Sequence, residues 1–211
     1  MPILNSIHQN IIFPPALKLP EARRNWWKTL PDHWRQVFLQ AFFQRMQDDI
    51  VSDSDLENLC STPVLRIVGP EGMHSNYSGT LTDLSGLSQL TTVQYLFVIH
   101  CDLESLDGIE RMTEMRSLYL HNNKLQDIHQ IGKMASLQEI FVADNEIKSI
   151  SPVKNCRMLH TLSCERNRLQ NLDGIKPFHE KHLRTLKCRP NEFLPQREIL
   201  RVQNEIGIIC Q

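Results

Sequence analysis

At 211 residues, 41% hydrophobic and 22% charged, the chain has an ordinary globular composition with room for one sizeable core. No apolar run approaches the roughly 18 residues of a membrane-spanning helix, and six scattered cysteines without a C-x-x-C point to reduced thiols rather than a disulfide framework. The formal charge of −1 conceals an asymmetry: residues 48–115 carry twelve Asp and Glu against two Lys and Arg, whereas residues 145–201 carry twelve Lys and Arg against six Asp and Glu.

Residues 1–20 are punctuated by proline and read as an irregular lead-in. The triplet Ile11-Ile12-Phe13 is too short for the core of a signal peptide and runs into Pro14-Pro15, so the expected location is cytoplasmic. Residues 21–60 read as helical, with Pro20 and Pro31 standing where helices begin. After Pro31, Trp34, Val37, Phe38, Ala41, Phe42 and Met46 fall at i, i+3, i+4, i+7, i+8 and i+12, one face of a helix. Trp26, Trp27 and Leu30 make a shorter apolar patch, and Ser52 with Asp55 three residues on signals a third helix start.

From residue 93 onward one pattern recurs five times. Segments starting at Val93, Met115, Leu137, Leu159 and Leu183 each read apolar-x-x-apolar-x-apolar-x-x-Asn (or Cys)-x-apolar, with spacings of 22, 22, 22 and 24 residues. The Asn or Cys positions are Cys101, Asn123, Asn145, Asn167 and Asn191. A fixed period with a fixed residue grammar marks a solenoid. In apolar-x-apolar the period is two, so the apolar residues face inward and the residues between them face out. Asn at the bend satisfies backbone groups of the neighbouring coil. A looser first repeat begins at residue 63, with Leu65 and Ile67 inward and a tail at Leu81, Leu84, Leu87 and Leu90. It carries a Gly- and Pro-rich insertion over 69–79, which reads as a loop. At the far end, Leu194, Ile199, Val202 and Ile206 make the stripe of a short closing helix, and the last residues, Cys210 among them, are expected to fray.

The pattern resembles the leucine-rich repeat, and the tails (Leu106, Ile109, Met112; Ile128, Ile131, Met134; Ile150, Val153, Cys156; Leu172, Ile175, Phe178) resemble the short internalin-like subclass of bacteria. The Trp-rich lead-in is similar to that of some bacterial leucine-rich repeat proteins. The resemblance implies an α/β repeat fold: a leucine-rich repeat solenoid with a concave parallel sheet and an N-terminal helical cap. The expected parts are an arm and cap over 1–62, about six coils over 63–193 and a C-terminal cap over 194–211. An amphipathic cap is what the first coil of a solenoid needs.

The outward positions define the concave face. Its central column reads Arg66, Phe97, Tyr119, Phe141, Ser163, Lys187; the column before holds Tyr95, Ser117, Glu139, Thr161 and Thr185, and the column after holds Ile99, His121, Ala143, Glu165 and Arg189. Strands about 4.8 Å apart would stack the three rings into a strip, and contiguous exposed apolar surface marks binding sites. Glu165, Arg166, Arg168, Lys187 and Arg189 form a charged rim.

Catalytic readings find little support. His179-Glu180-Lys181-His182 reads as a surface turn without the H-E-x-x-H spacing of zinc proteases, and Cys101 beside His100 belongs to the inward ladder. No phosphate-loop, dinucleotide or nucleophile-elbow motif is present. The expected function is non-enzymatic, without cofactor, metal or membrane: a protein or peptide partner bound through Tyr95, Phe97, Ile99, Tyr119, His121 and Phe141, with Glu165, Arg166, Lys187 and Arg189 at the rim. The alternatives are an anionic ligand or nucleic acid on the basic coils, and an effector acting inside another cell. The partner's identity and the oligomeric state stay open.

Overall fold

The computed structural model describes residues 17–45 and 50–211; most of the expected lead-in and Met46 lie outside them. Six strands, β1 (Val64–Val68), β2 (Tyr95–Ile99), β3 (Ser117–Tyr119), β4 (Glu139–Phe141), β5 (Thr161–Ser163) and β6 (Thr185–Lys187), form one parallel sheet in sequence order. Register is strict: Leu65, Leu96, Leu118, Ile140, Leu162 and Leu186 lie side by side and are all buried. Each strand is too short to bury a face alone, so the core forms between coils. The tail residues of every coil join it, Phe178 excepted.

The asparagines tie each coil to the one before. The Asn123 side chain accepts from the amides of Cys101 and Leu103 (3.1 and 3.0 Å) and donates to the Val98 and Leu120 carbonyls. Asn145, Asn167 and Asn191 repeat this. Cys101, first in the ladder, has a thiol in place of the amide, a weak donor that meets the Ile99 carbonyl at 3.2 Å. Here the backbones close in. Gly69 donates to Ile99 O, and a Cβ on Gly69 would sit 1.7 Å from the His100 carbonyl oxygen. One residue before the first four ladder positions, His100, Asn122, Asp144 and Arg166 adopt left-handed φ of 52–57° to make the bend.

A second ladder runs along the tails. The side chains of Asp83, Ser105, Asp127, Ser149 and Asn171, 22 residues apart, each accept the amide two residues on. These are Asx- and Ser-type turns, and those at Asp83, Asp127 and Ser149 open short 3-10 segments.

Both sheet edges are closed, which removes a hazard of exposed strands. At β1 the insertion does this: Asn76 Oδ1 accepts from Val68 N at 2.7 Å and its Nδ2 donates to Arg66 O at 2.9 Å. The Arg66 guanidinium in turn donates to the Met73 and His74 carbonyls. At β6 the chain terminus does it. Cys210 pairs in parallel with Leu186, Gln211 N donates to Leu186 O at 2.8 Å, and Cys188 N donates to Gln211 O at 2.9 Å. The last residues are thus tied to β6 through a single bridge at Cys210.

The N-terminal cap comprises α1 (Pro20–Thr29), α2 (Asp32–Val37) running on into a π-helical turn over 38–42, and α3 (Asp53–Ser61). Pro20 opens α1, and Ser52 and Asp55 form the expected capping box on α3. Trp34, Val37, Phe38 and Ala41 are buried on the first coil; Phe42 is half-buried. Trp34 lies against Gly86, and its indole N–H donates to Ser85 Oγ at 3.2 Å. Arg23, Arg24 and Arg45 pair with Glu57, Asp53 and Asp55 of α3, so part of the acidic run is neutralised locally. The other end is covered by α4 (Gln196–Arg201) and a π-helical turn over 202–206, burying Leu194, Ile199, Val202 and Ile206.

Candidate functional site

The outward alternation of β2, β3 and β4 places Phe97, Tyr119 and Phe141 in register on the concave face. Their rings stack: Phe97 on Tyr119 at 4.3 Å and 9° between planes, Tyr119 on Phe141 at 4.6 Å and 11°. In parallel stacking each ring covers its neighbour's face. All three are half-buried, as are Tyr95 and Ile99 beside them.

Glu139 organises the stack. Its Oε2 accepts from Tyr119 OH and from Ser117 Oγ, both at 2.9 Å. Burial first, and the adjacent carboxylate second, push the Tyr119 phenol up to about 12. Ser117 and Ser163, the small residues of the outward columns, are recessed and buried among taller neighbours. Ser163 Oγ donates to Glu165 Oε2 at 2.8 Å. The part played by Glu139 was readable in principle, because the 22-residue period sets Glu139 beside Ser117 and Phe141 beside Tyr119.

In the column after the rings, His121 and Glu165 are half-buried, while Ala143 is buried and contributes no exposed surface. Burial and then the neighbouring His100 lower the His121 pKa. Part of the charged rim is paired within the chain. Arg166 grips Asp144 of the preceding coil, Nη2 to Oδ2 at 2.7 Å, and Arg168 pairs with Glu146 at 3.2 Å. Positions adjacent to the ladder carry opposite charges on successive coils, so these arginines neutralise their neighbours. Lys187 stays exposed on β6, and Arg189 donates to Gln196 Oε1 at 3.0 Å.

The insertion and the ladder together frame a polar cleft of about 290 Å³, lined by Glu71, His100, Asp102, Asn122, Lys124 and Asp144. Of its charged side chains, Lys124 pairs with Asp102 at 3.0 Å and Asp144 with Arg166. The Cys101 thiol points to backbone carbonyls, and burial pushes it up to about 11, so it is protonated and unreactive at neutral pH. His179 is not on a surface turn. The two extra residues of its coil carry it into the core at 0% exposure while Phe178 is only half-buried, and His179 Nδ1 accepts from Lys176 N at 3.0 Å. Among the described residues no group of three His, Cys, Asp or Glu stands close enough to share a metal ion.

No protein-family model and no curated protein matches the chain. Solved structures do. The chain is similar to an internalin of Listeria monocytogenes, with 24% identity and a TM-score of 0.52 over 68% of this chain and 46% of that one. It is similar to internalin C2 of the same organism, with 16% identity and a TM-score of 0.53 over 84% of this chain and 91% of that one. A leucine-rich repeat protein of Leptospira interrogans gives 16% identity and a TM-score of 0.59 over 76% of this chain and 40% of that one. The chain thus spans about half the length of the first of these and less than half of the third. The likeness is one of fold: this chain is a leucine-rich repeat solenoid.

Proposed function

We propose that this solenoid is a non-enzymatic recognition module that binds a protein or peptide on its concave sheet, centred on Phe97, Tyr119 and Phe141. The observation that carries the reading is the stack itself. Three consecutive coils place an aromatic ring at a position that water alone would fill with polar residues, and the rings are held in one orientation before any partner arrives. Aromatic groups are favoured at interface centres, and side chains already ordered lose less entropy on binding. Among the described residues no helix is long and apolar enough to cross a membrane. The alternative, an anionic ligand or nucleic acid on the basic coils, is weakened by the pairing of Arg166 with Asp144 and of Arg168 with Glu146.

The test is affinity capture from lysate with wild type and Phe97→Ala/Tyr119→Ala side by side. The pair of changes should leave the thermal melt close to wild type and abolish capture. Undiminished capture by the variant, or a large fall in its melting temperature, would remove the concave strip as a binding surface. Capture that weakens steeply with added salt would favour the anionic reading instead.

A further inference from the structure

We infer that the concave face takes an extended protein segment bearing an apolar, a basic and an acidic side chain on alternate residues, in that order from β3 towards β6. This rests on the reading of the concave sheet as the binding face, and gives that face a partner chemistry.

The aromatic stack ends at Phe141. One face of that ring meets Tyr119; on the other side its register partner is Ser163, a small and recessed residue. Two carboxylates flank this junction. Glu139 lies two residues before Phe141 on β4, and Glu165 two residues after Ser163, just beyond the end of β5. Each uses one oxygen, Oε2, to hold hydroxyl groups of the sheet. Among the described residues neither makes an ion pair, since the adjacent Arg166 is committed to Asp144. A ring with carboxylates to either side is what a guanidinium fits: it stacks on an aromatic face and donates in a fork to carboxylate oxygens. Next along the central column stands Lys187, exposed and, among the described residues, without an ion pair. The face therefore reads apolar, then anionic, then cationic.

The spacing selects the conformation. With strands about 4.8 Å apart, the junction lies about 7 Å from Tyr119 and Lys187 about 14 Å away; an extended chain rising about 3.3 Å per residue covers these in two and four residues. The complementary segment is therefore apolar-x-Arg-x-Asp/Glu, or its reverse if the segment runs the other way. Charge order of this kind discriminates among partners as much as it adds affinity.

A displayed library of random twelve-residue peptides would be selected on the full chain and counter-selected on Phe97→Ala/Tyr119→Ala, keeping only ring-dependent binders. These should share the apolar-x-basic-x-acidic order. Synthetic members should lose about tenfold or more in affinity on Glu165→Lys/Lys187→Glu, while peptides with the two charges exchanged should prefer that variant. Ring-dependent binders lacking the charge order, or indifferent to the exchange, overturn this inference and leave the concave reading standing. Failure to recover any ring-dependent binder overturns the concave reading itself.

Discussion

The Tyr119 hydroxyl donates to Glu139 Oε2 at 2.9 Å, reaching from β3 to the neighbouring strand β4. The ring is thus held three ways, by Phe97 on one face, Phe141 on the other and a carboxylate at its tip. A residue at the centre of a concave sheet would otherwise sample several rotamers. Here the orientation is built in, and Glu139 is the residue that sets it.

This tether is measurable through the phenol. Removing the carboxylate with Glu139→Gln leaves the burial that is the main cause of the raised pKa but removes the second. The Tyr119 pKa should therefore fall from about 12 part of the way towards the ordinary value of about 10. Carbon-13 NMR of the ring Cζ through an alkaline titration reads it directly. A Tyr119 pKa unchanged in the variant would show that the hydroxyl does not depend on Glu139.

The two kinds of ladder residue should differ in cost. Asn145→Ala strands the Leu125 amide and loses bonds to the Leu120, Val142 and Ala143 carbonyls inside the stack. Each buried group left unsatisfied costs about 1–3 kcal/mol. Cys101→Ala loses a thiol that donates weakly and packs as a small apolar group. Urea denaturation should place Asn145→Ala well below Cys101→Ala in stability; equal losses would refute the ladder account.

Burial lowers the pKa of His179, more than its backbone partners raise it. A histidine with a depressed folded pKa binds fewer protons than in the unfolded chain, so stability rises with pH between the two values. Stability from this residue is present above the unfolded value of about 6.5 and declines as pH falls below it. The melting temperature should drop between pH 7.5 and pH 5.5, and His179→Asn should flatten that slope. His121, also lowered by burial, acts in the same direction and accounts for a remainder. An unchanged slope in the variant would place the acid sensitivity elsewhere.

The cap docks through a close contact with its own signature. A Cβ on Gly86 would lie 2.1 Å from the Trp34 ring, so Gly86→Ala must push the indole off the first coil. All three tryptophans of the chain (Trp26, Trp27 and Trp34) lie in the cap, and emission therefore reports its docking. Gly86→Ala should shift emission to the red and lower the melting temperature. Emission that stays put would mean that the cap accommodates the methyl group without moving.

Much of the fold was legible because the information is local and repeated. Leu118 and Tyr119 adopt opposite faces by strand alternation alone, and the 22-residue period then carries Tyr119 beside Phe97 and Phe141. The turn ladder of Asp83, Ser105, Asp127, Ser149 and Asn171 has the same period and was equally available, though its polar residues vary too much to stand out from one sequence. Coil five was harder. Two additional residues shift its phase, and only packing decides that His179 goes in while Phe178 stays half out.

The amino-acid order by itself determined the repeat, the inward and outward sets of residues and therefore the row of rings, since these follow from periods of 2 and 22 that need no distant contact. Tertiary structure alone decided which charges stay available. Arg166 and Arg168 count as a basic rim until the coils stack and bring Asp144 and Glu146 against them. It also decided how the sheet ends, with Asn76 from an insertion closing one edge and Gln211 from the terminus closing the other. The physical reason is common to both: pairing across the stack is set by side-chain reach between segments far apart in the chain, and composition does not say which of several acids or amides arrives.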